Sequence, residues 1–274
     1  MDKSASLSDL VDRIGRAESV SFGGGGLVRK PMSAAAAVAL SSAEPRPFIS
    51  LLGGPEVDLL LGFGKVSRLH FAYMGMDSIG MTPNFRKVRE AGELEVIEGS
   101  EYLVLAGLEA GARGVPFIPT HSGLGTDVLT RPNTPYKTFS CPITGQLLVA
   151  APALTPDVAV IHVNLADRWG NGVIYGEVFA DYLLARAAKS VWLTTEVLVD
   201  DLPPIDQRRP GAFIPRLFVD GVVACHGGAD FTGCFPDYPI DHEKAEMYRD
   251  NATDPAWLRW YVDSLVAGEQ LEAV

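Results

Sequence analysis

Segments typical of β-strands and of α-helices alternate along most of this chain of 274 residues. The clearest strand is the run 158–163, in which β-branched and other apolar residues dominate. A strand this apolar is usually covered on both faces of its sheet. Helical patterns, such as the one at residues 101–112, separate the strand-like runs. The alternation predicts an α/β fold with a mainly parallel sheet and helices on both faces.

The composition sets the size of the fold and limits its partners. Hydrophobic residues make up 47% of the chain and charged residues 21%, which is enough apolar material for a large core. Because neither an internal repeat nor a long linker interrupts the pattern, we expect one domain over residues 1–274. The net charge of −11 argues against nucleic acid and anionic membranes as partners, since both attract basic surfaces.

Cysteine usage and hydropathy indicate the cellular compartment. The three cysteines form no Cys-x-x-Cys pair, so we expect neither a disulfide framework nor a metal site. The first residues carry no apolar stretch of the kind found in signal peptides. No apolar run is long enough for a membrane-spanning helix. Together these features predict a cytoplasmic protein.

Three glycine-rich loops, at residues 23–26, 53–54 and 123–125, follow predicted strands. In open α/β sheets, ligands bind at the carboxyl ends of the strands, and glycine lets backbone amides approach an anion or an oxyanion closely. The loops are therefore candidate binding segments, although tight turns without a ligand explain each of them equally well. The first loop is not a dinucleotide fingerprint, because Val28 stands where the third glycine or an alanine belongs.

Glu101 is the carboxylate that the pattern singles out. It follows Ser100 at the predicted start of a helix, where the helix dipole stabilises a negative charge. The alternative is an ordinary first-turn glutamate in solvent. Three histidines, His121, His162 and His226, also lie beside loops at strand ends. Each fits a structural role as well as a catalytic one, and the sequence contains no nucleophile elbow.

A family resemblance extends over roughly residues 5 to 250. The segments that carry it are 23–25 with Arg29, Lys30 and Pro31, 53–54 with Asp58, Leu60, Gly62 and 64–66, then 116–119, 122–125, 157–162, and Asp167 with 170–172. Through these segments the chain resembles the α subunits of class I CoA-transferases, the group typified by glutaconate CoA-transferase. Gly25 is a departure, because the family has an aromatic residue after the glycine pair.

The resemblance implies a CoA-transferase-like fold, coenzyme A as substrate without a permanently bound cofactor, and a β subunit in an α2β2 or similar hetero-oligomer. In this family the active site lies between the two chains, and a β-chain glutamate in a Glu-Asn-Gly type motif is the nucleophile. Here Asn171 and Gly172 follow Gly170, so this chain alone is expected to be inactive. Its implied share is to bind the acyl group and an oxyanion through loop residues, namely Gly24, Gly25, Gly53, Gly54, Ser122, Gly123 and Gly125.

A second resemblance, within the same family, changes the prediction for Glu101. The chain looks like the α subunit of a bacterial steroid-ring-cleaving CoA-thioester hydrolase at 101–108, 123–125, 227–232 and 236–238. The catalytic glutamate of that enzyme lies in its α chain and matches Glu101, which implies a general base that activates water or deprotonates the substrate. The acyl pocket is then expected to be lined by Phe71, Tyr73, Met74 and Met76.

Three functions stay open at this point. The first, favoured by the family as a whole, is transfer of CoA to a carboxylic acid by an α subunit together with its β partner. The second, favoured by Glu101, is hydrolytic cleavage of a C–C bond in a cyclic β-diketone acyl-CoA. The third is a non-catalytic scaffold that orders a catalytic β chain, and the missing Glu-Asn-Gly motif keeps it open as part of either of the other two.

Overall fold

The computed structural model describes residues 1–204 and 211–267. The strands in these ranges are β1 (Ser4–Ala5), β2 (Val20–Phe22), β3 (Arg46–Gly53), β4 (Val66–Met74), β5 (Glu95–Glu98), β6 (Phe117–Thr120), β7 (Lys137–Ser140), β8 (Leu147–Pro152), β9 (Val158–Asp167), β10 (Gly172–Tyr175), β11 (Ser190–Val199), β12 (Gly211–Ile214) and β13 (Val219–Ala224). The α-helices are α1 (Leu7–Gly15), α2 (Met32–Leu40), α3 (Pro55–Gly62), α4 (Pro83–Glu90), α5 (Glu101–Arg113), α6 (Asp181–Ala187), α7 (His242–Asn251) and α8 (Pro255–Ala267).

A ten-stranded sheet forms the centre of the fold. Its main path is β1-β13-β11-β9-β2-β3-β4-β5, and every neighbouring pair on this path is parallel. β10 pairs with β9, and β12 pairs with β10, both in antiparallel fashion. The prediction of a mainly parallel α/β sheet is confirmed, and the antiparallel extension is an addition that the sequence pattern did not predict.

Helices cover both faces of this sheet. β9 shows it directly, because Val158 and Val160 pack into one buried apolar cluster while Ala159, Ile161 and Val163 pack into another. Helices α1 to α4, α7 and α8 contribute to the first cluster, and α5 and α6 contribute to the second. The prediction of helices on both faces is therefore confirmed.

A smaller antiparallel sheet has the strand order β6-β8-β7. One face of it packs on α5, where Val149 and Ala151 of β8 meet Leu103 and Ala106 of the helix. β6 ends at Thr120, so the small sheet holds the loop that follows it beside the first turn of α5.

Two expectations concern the whole chain. Among the described helices, none combines the length and the hydropathy of a membrane span. The C-terminal helices share the core of the N-terminal ones, because Tyr248 of α7 and Tyr261 of α8 are fully buried in the first cluster. Residues 205–210 and 268–274 lie outside the described residues, and one domain over 1–274 stays a prediction.

Candidate active site

The parallel strands β2, β3, β4 and β5 end at one edge of the main sheet, and backbone hydrogen bonds join the segments that follow them. The Gly26 amide, after β2, donates to the Leu52 carbonyl of β3 at 3.4 Å. The Gly99 amide, after β5, donates to the Phe71 carbonyl of β4 at 2.8 Å. The first two glycine loops and the start of α5 therefore lie along one edge, the place where α/β folds bind ligands.

Glu101 is the first residue of α5 and lies at this edge. Ser100 caps the helix, because its Oγ accepts a hydrogen bond from the Leu103 amide at 3.2 Å. The Glu101 side chain is exposed, and within the described ranges it has neither a hydrogen bond nor an ion pair. Glu101 thus lies at a helix N-terminus, a place that stabilises a carboxylate, and its role as a base stays a prediction.

The loop of residues 121–125 is held beside the start of α5 by hydroxyl groups. Ser122 Oγ and Ser100 Oγ are 2.7 Å apart and share a hydrogen bond. The loop turns through two left-handed glycines, Gly123 with φ +87° and Gly125 with φ +75°. The amides of both glycines lack an acceptor in the part of the chain that the structure describes. The loop thus offers two free donors close to the helix start.

The glycine loops after β2 and β3 differ, because their amides already donate within the chain. The Gly24 amide donates to Asp181 Oδ1 at 2.8 Å. The Gly54 amide donates to Glu56 Oε2 at 3.0 Å. The Gly25 amide donates at 3.0 Å to the backbone carbonyl three residues further along. None of these three amides is free for an oxyanion while these bonds are in place.

The predicted site residues therefore fall into two groups. The structure brings one group together around the start of α5, namely Glu101, Ser122, Gly123 and Gly125. It places the other group in an interior part of the same edge, namely Gly24, Gly25, Gly53 and Gly54. Binding of the acyl group by these residues stays a prediction, and the geometry favours the first group as hydrogen-bond donors.

Two buried cations support the interior loops, and sequence reasoning gave them no role of their own. Arg29 and Lys30 both have 0% of their surface exposed. Arg29 pairs with Asp181 at 2.5 Å, and Lys30 pairs with Glu56 at 3.0 Å. The signal in the sequence is two adjacent cations between a glycine run and an alanine-rich helix, a place where solvated side chains are not expected.

A second buried polar cluster joins β9 and β11. His162 Nε2 lies 2.7 Å from Glu196 Oε1, and its Nδ1 lies 2.9 Å from a threonine hydroxyl of β11. Glu196 also accepts hydrogen bonds from the Tyr238 hydroxyl and from the amides of Gly227 and the next residue. Burial alone would raise the pKa of Glu196, but these hydrogen bonds outweigh it and lower the pKa. The carboxylate is fully engaged, so the structural interpretation of His162 is the better one.

The same cluster contains a set of potential metal ligands. Atoms of His162, Glu196 and Cys234 lie within 4.8 Å of one another. Burial raises the pKa of the Cys234 thiol to about 12, and His162 Nε2 and Glu196 Oε1 are already hydrogen-bonded to each other, so these groups have structural partners within the chain. The other two histidines, His121 and His226, are exposed. The cluster is therefore a hydrogen-bonded network that fixes the loop after β13 through Glu196.

The expected apolar pocket is mostly closed in this chain. Phe71, Met74 and Met76 are buried in the main core, and Phe71 packs edge-on against Phe85 of α4 at 5.3 Å. Tyr73, next to the last residue of β4, is 37% exposed. Of the four residues, Tyr73 is the one that can contact an acyl group in this arrangement.

The parallel α/β sheet, with glycine loops at the carboxyl ends of its strands, agrees with a match to a known protein family. A family model described as Coenzyme A transferase matches residues 6–225. The chain belongs to the coenzyme A transferase family, which confirms the resemblance to CoA-transferase subunits.

Particular relatives narrow the comparison. The cholesterol ring-cleaving hydrolase IpdA subunit of Rhodococcus jostii is 32% identical, over 98% of this chain and 93% of that protein. A 3-oxoadipate CoA-transferase subunit of Pseudomonas knackmussii is also 32% identical, over 75% of this chain and 74% of that protein. Among solved structures, a variant of the decarboxylase AibA/AibB matches with a TM-score of 0.83 and 28% identity, over 97% of this chain and 100% of that chain. These similar proteins catalyse different reactions. The reaction of this chain must therefore be inferred from the residues of its site.

Proposed function

We propose that this chain is the α-type subunit of a two-subunit enzyme that opens a ring in an acyl-CoA substrate by hydrolysis, with Glu101 as the general base. The observation that carries the proposal is the exposed, unpaired Glu101 carboxylate beside the free amides of Gly123 and Gly125. Similarity to a ring-cleaving hydrolase subunit over nearly the whole chain supports it.

The proposed reaction needs a base and a group that binds an oxyanion. With a cyclic β-diketone acyl-CoA as substrate, Glu101 takes a proton from water, and the hydroxide adds to a ring carbonyl. The carbonyl oxygen becomes an oxyanion, which the Gly123 and Gly125 amides stabilise. When the ring C–C bond breaks, the attacked carbon becomes a carboxylic acid and the departing carbon receives the proton held by Glu101. Water is the only co-reactant.

Transfer of CoA to a carboxylic acid is the second candidate. Similarity to a 3-oxoadipate CoA-transferase subunit over three quarters of the chain favours it. In that case the nucleophile belongs to the β subunit, and Glu101 is a solvated first-turn residue. The scaffold role is contained in this candidate, because the chain then contributes only binding surface.

A β subunit, coenzyme A as substrate, an α2β2 or similar assembly and a cytoplasmic location belong to the same proposal. Aromatic surface on the small sheet supports the proposal of a partner subunit. The ring centres of Phe117 and Phe139 lie 5.6 Å apart, and Phe117 is 39% exposed. Uncovered aromatic surface of this kind marks protein interfaces. The three free cysteines fit a reducing compartment.

The test uses the chain co-expressed with its β subunit. Loss of a cyclic β-diketone acyl-CoA is followed with and without added acetate or succinate. We expect turnover in water alone, and a decrease of about 10²- to 10⁴-fold in kcat for Glu101→Gln, because the base is removed. The folded state should not change, since the side chain is exposed and unpaired.

The matched control is Glu95→Gln, an exposed glutamate on the neighbouring strand β5, which should keep the wild-type rate. Turnover that requires the carboxylate acceptor and survives Glu101→Gln would reject the hydrolase and establish the transferase. Full activity of the isolated chain would reject the need for a β subunit.

A further inference from the structure

Two consecutive cations, Arg29 and Lys30, are buried immediately after the first glycine loop. Arg29 also donates to the His162 carbonyl at 2.9 Å, and Lys30 donates to the Leu52 carbonyl at 2.5 Å. A buried charge is costly unless it is paired and hydrogen-bonded. Both cations meet that condition, so each is fixed in one position by the surrounding chain.

Each cation forms an ion pair with a carboxylate whose second oxygen accepts a hydrogen bond from a loop amide. Asp181 uses Oδ2 for Arg29 and Oδ1 for the Gly24 amide. Glu56 uses Oε1 for Lys30 and Oε2 for the Gly54 amide. We call these two cation–carboxylate–amide units the glycine clamps. They fix both interior loops from two neighbouring positions in the sequence.

The two clamped loops also touch each other and are strained. A Cβ atom on Gly54 would overlap the carbonyl of Gly26, so the two backbones pass at the distance that only glycine allows. Within the described ranges, four non-glycine residues have positive φ, and one of them, Arg29 at 51°, is part of a clamp.

Two more of these strained residues hold the first loop. Asp77, with φ 49°, accepts the Leu27 amide on its Oδ2 at 3.0 Å. Phe179 has φ 47°, and its ring packs on Gly25 so closely that a Cβ atom there would lie 2.7 Å from the ring carbons. Such strain persists where the surrounding structure over-determines a functional geometry. Three of the four strained residues therefore surround one loop.

We infer that Arg29 and Lys30 are positioning residues, which hold the two interior glycine loops as one rigid wall along which the acyl-CoA thioester lies at a fixed distance from Glu101. This inference rests on the proposed function for the nature of the substrate. The wall acts through its shape, since the amides of Gly24, Gly25 and Gly54 already donate within the chain. Loosening a clamp should therefore slow the chemical step more than it weakens binding, because misplacement of about 1 Å can cost about 100-fold in rate.

The test replaces one clamp by a neutral pair in the αβ complex. Lys30→Met alone would leave Glu56 buried without its partner, so the double variant Lys30→Met/Glu56→Gln is used. We expect a folded complex whose kcat falls on the order of 10- to 100-fold while KM for the acyl-CoA stays within about threefold. A folded complex with kcat within about twofold of wild type would overturn the inference.

The control is a neutralised ion pair at the edge of the sheet where the parallel strands begin. Arg13 of α1 pairs at 3.5 Å with Asp157, which directly precedes β9, and both side chains are partly buried. Arg13→Met/Asp157→Asn tests whether losing an ion pair away from the glycine loops lowers kcat. An equal loss of kcat in this variant would assign the effect to general destabilisation and overturn the positioning role.

Amide hydrogen exchange in the wild-type complex covers the case in which the double variant does not fold. The clamps predict that the amides of Gly24 and Gly54 exchange roughly 100-fold more slowly than those of Gly123 and Gly125. Equal exchange rates would overturn the inference. The Glu101→Gln variant tests the proposed function separately. The clamp test compares kcat and KM, so it can be interpreted for whichever acyl-CoA reaction the complex catalyses.

Discussion

The loop after β2 and the loop after β6 both turn through glycines with positive φ, Gly24 at +70° and Gly125 at +75°. Their surroundings differ. The Gly24 amide is held by Asp181, and a Cβ atom there would overlap two backbone carbonyls. The Gly125 amide has no acceptor in the described ranges, and a Cβ atom there would meet nothing within 4 Å. The same backbone conformation thus builds a locked wall in one place and an open donor surface in the other.

The variants Gly24→Ala and Gly125→Ala should show the largest difference in stability between the two loops. Both substitutions force alanine into the left-handed region, at a cost of about 1–2 kcal/mol. Gly24→Ala must also displace the carbonyls of Val28 and Arg29, so we expect it to lose about 4 kcal/mol or more, or not to fold. Urea unfolding of the two variants measures the difference, and similar losses would show that the two loops are equally tolerant.

One buried ionisable group packs near each of the two loops, and the two groups make stability depend on pH in opposite directions. Asp58 in α3, behind the locked wall, is fully buried, and desolvation raises its pKa from the ordinary 3.8 to about 6. Its stabilisation is therefore present at low pH and is lost as the pH rises through about 6. His70 in β4, bonded to the Tyr136 hydroxyl at 2.8 Å, is also buried, and desolvation lowers its pKa from 6.5 to about 4. Its stabilisation is present above pH 6.5 and is lost as the pH falls through about 4.

The two contributions oppose each other between pH 4 and 6, each with a size of about 3 kcal/mol. Asp58→Asn should leave the His70 effect, so that stability rises more steeply with pH than in the wild type. His70→Gln should leave the Asp58 effect and tilt the profile the other way. Unfolding free energies at pH 4.5 and 6.5 check this, and parallel profiles for both variants would contradict the assignment.

The smallest expected effect concerns the hydroxyl bond that holds the open loop. Ser122→Ala removes the bond to Ser100 and should lower stability by about 1 kcal/mol. It should also lower kcat several-fold, because the loop is then less firmly held beside Glu101. Thr130→Val removes another hydroxyl bond, an exposed one to the Asp127 backbone carbonyl, and should leave kcat unchanged. Equal activity of the two variants would show that the position of the open loop does not matter.

The sequence predicted the fold from local signals that the structure confirms. The apolar run in β9 is buried by helices on both sides, and the segment beginning at Ser100 and Glu101 is a capped helix. These features depend on side chains that are close in sequence, and their periodicity is visible before folding.

The division of the glycine loops could not be predicted in the same way. Whether a loop amide is free depends on a distant acceptor, and Asp181 is 157 residues away from the Gly24 amide that it holds. The count of glycines is the same whether such a partner exists or not. Arg29 and Lys30 were visible as unusual charges, but their carboxylate partners lie on other elements. The pairing is a property of the tertiary structure.

The contact between Gly54 and the Gly26 carbonyl has a consequence for how this enzyme can change. A Cβ atom on Gly54 would overlap the Gly26 carbonyl, and one on Gly26, with φ +52°, would overlap the Asp77 carboxylate. Neither position can therefore be used to reshape the proposed wall during evolution or in the laboratory. New specificity must come from residues that border the wall, such as Tyr73 and the loop of residues 121–125. A mutant library restricted to those positions should retain far more folded members than one that includes the two glycines.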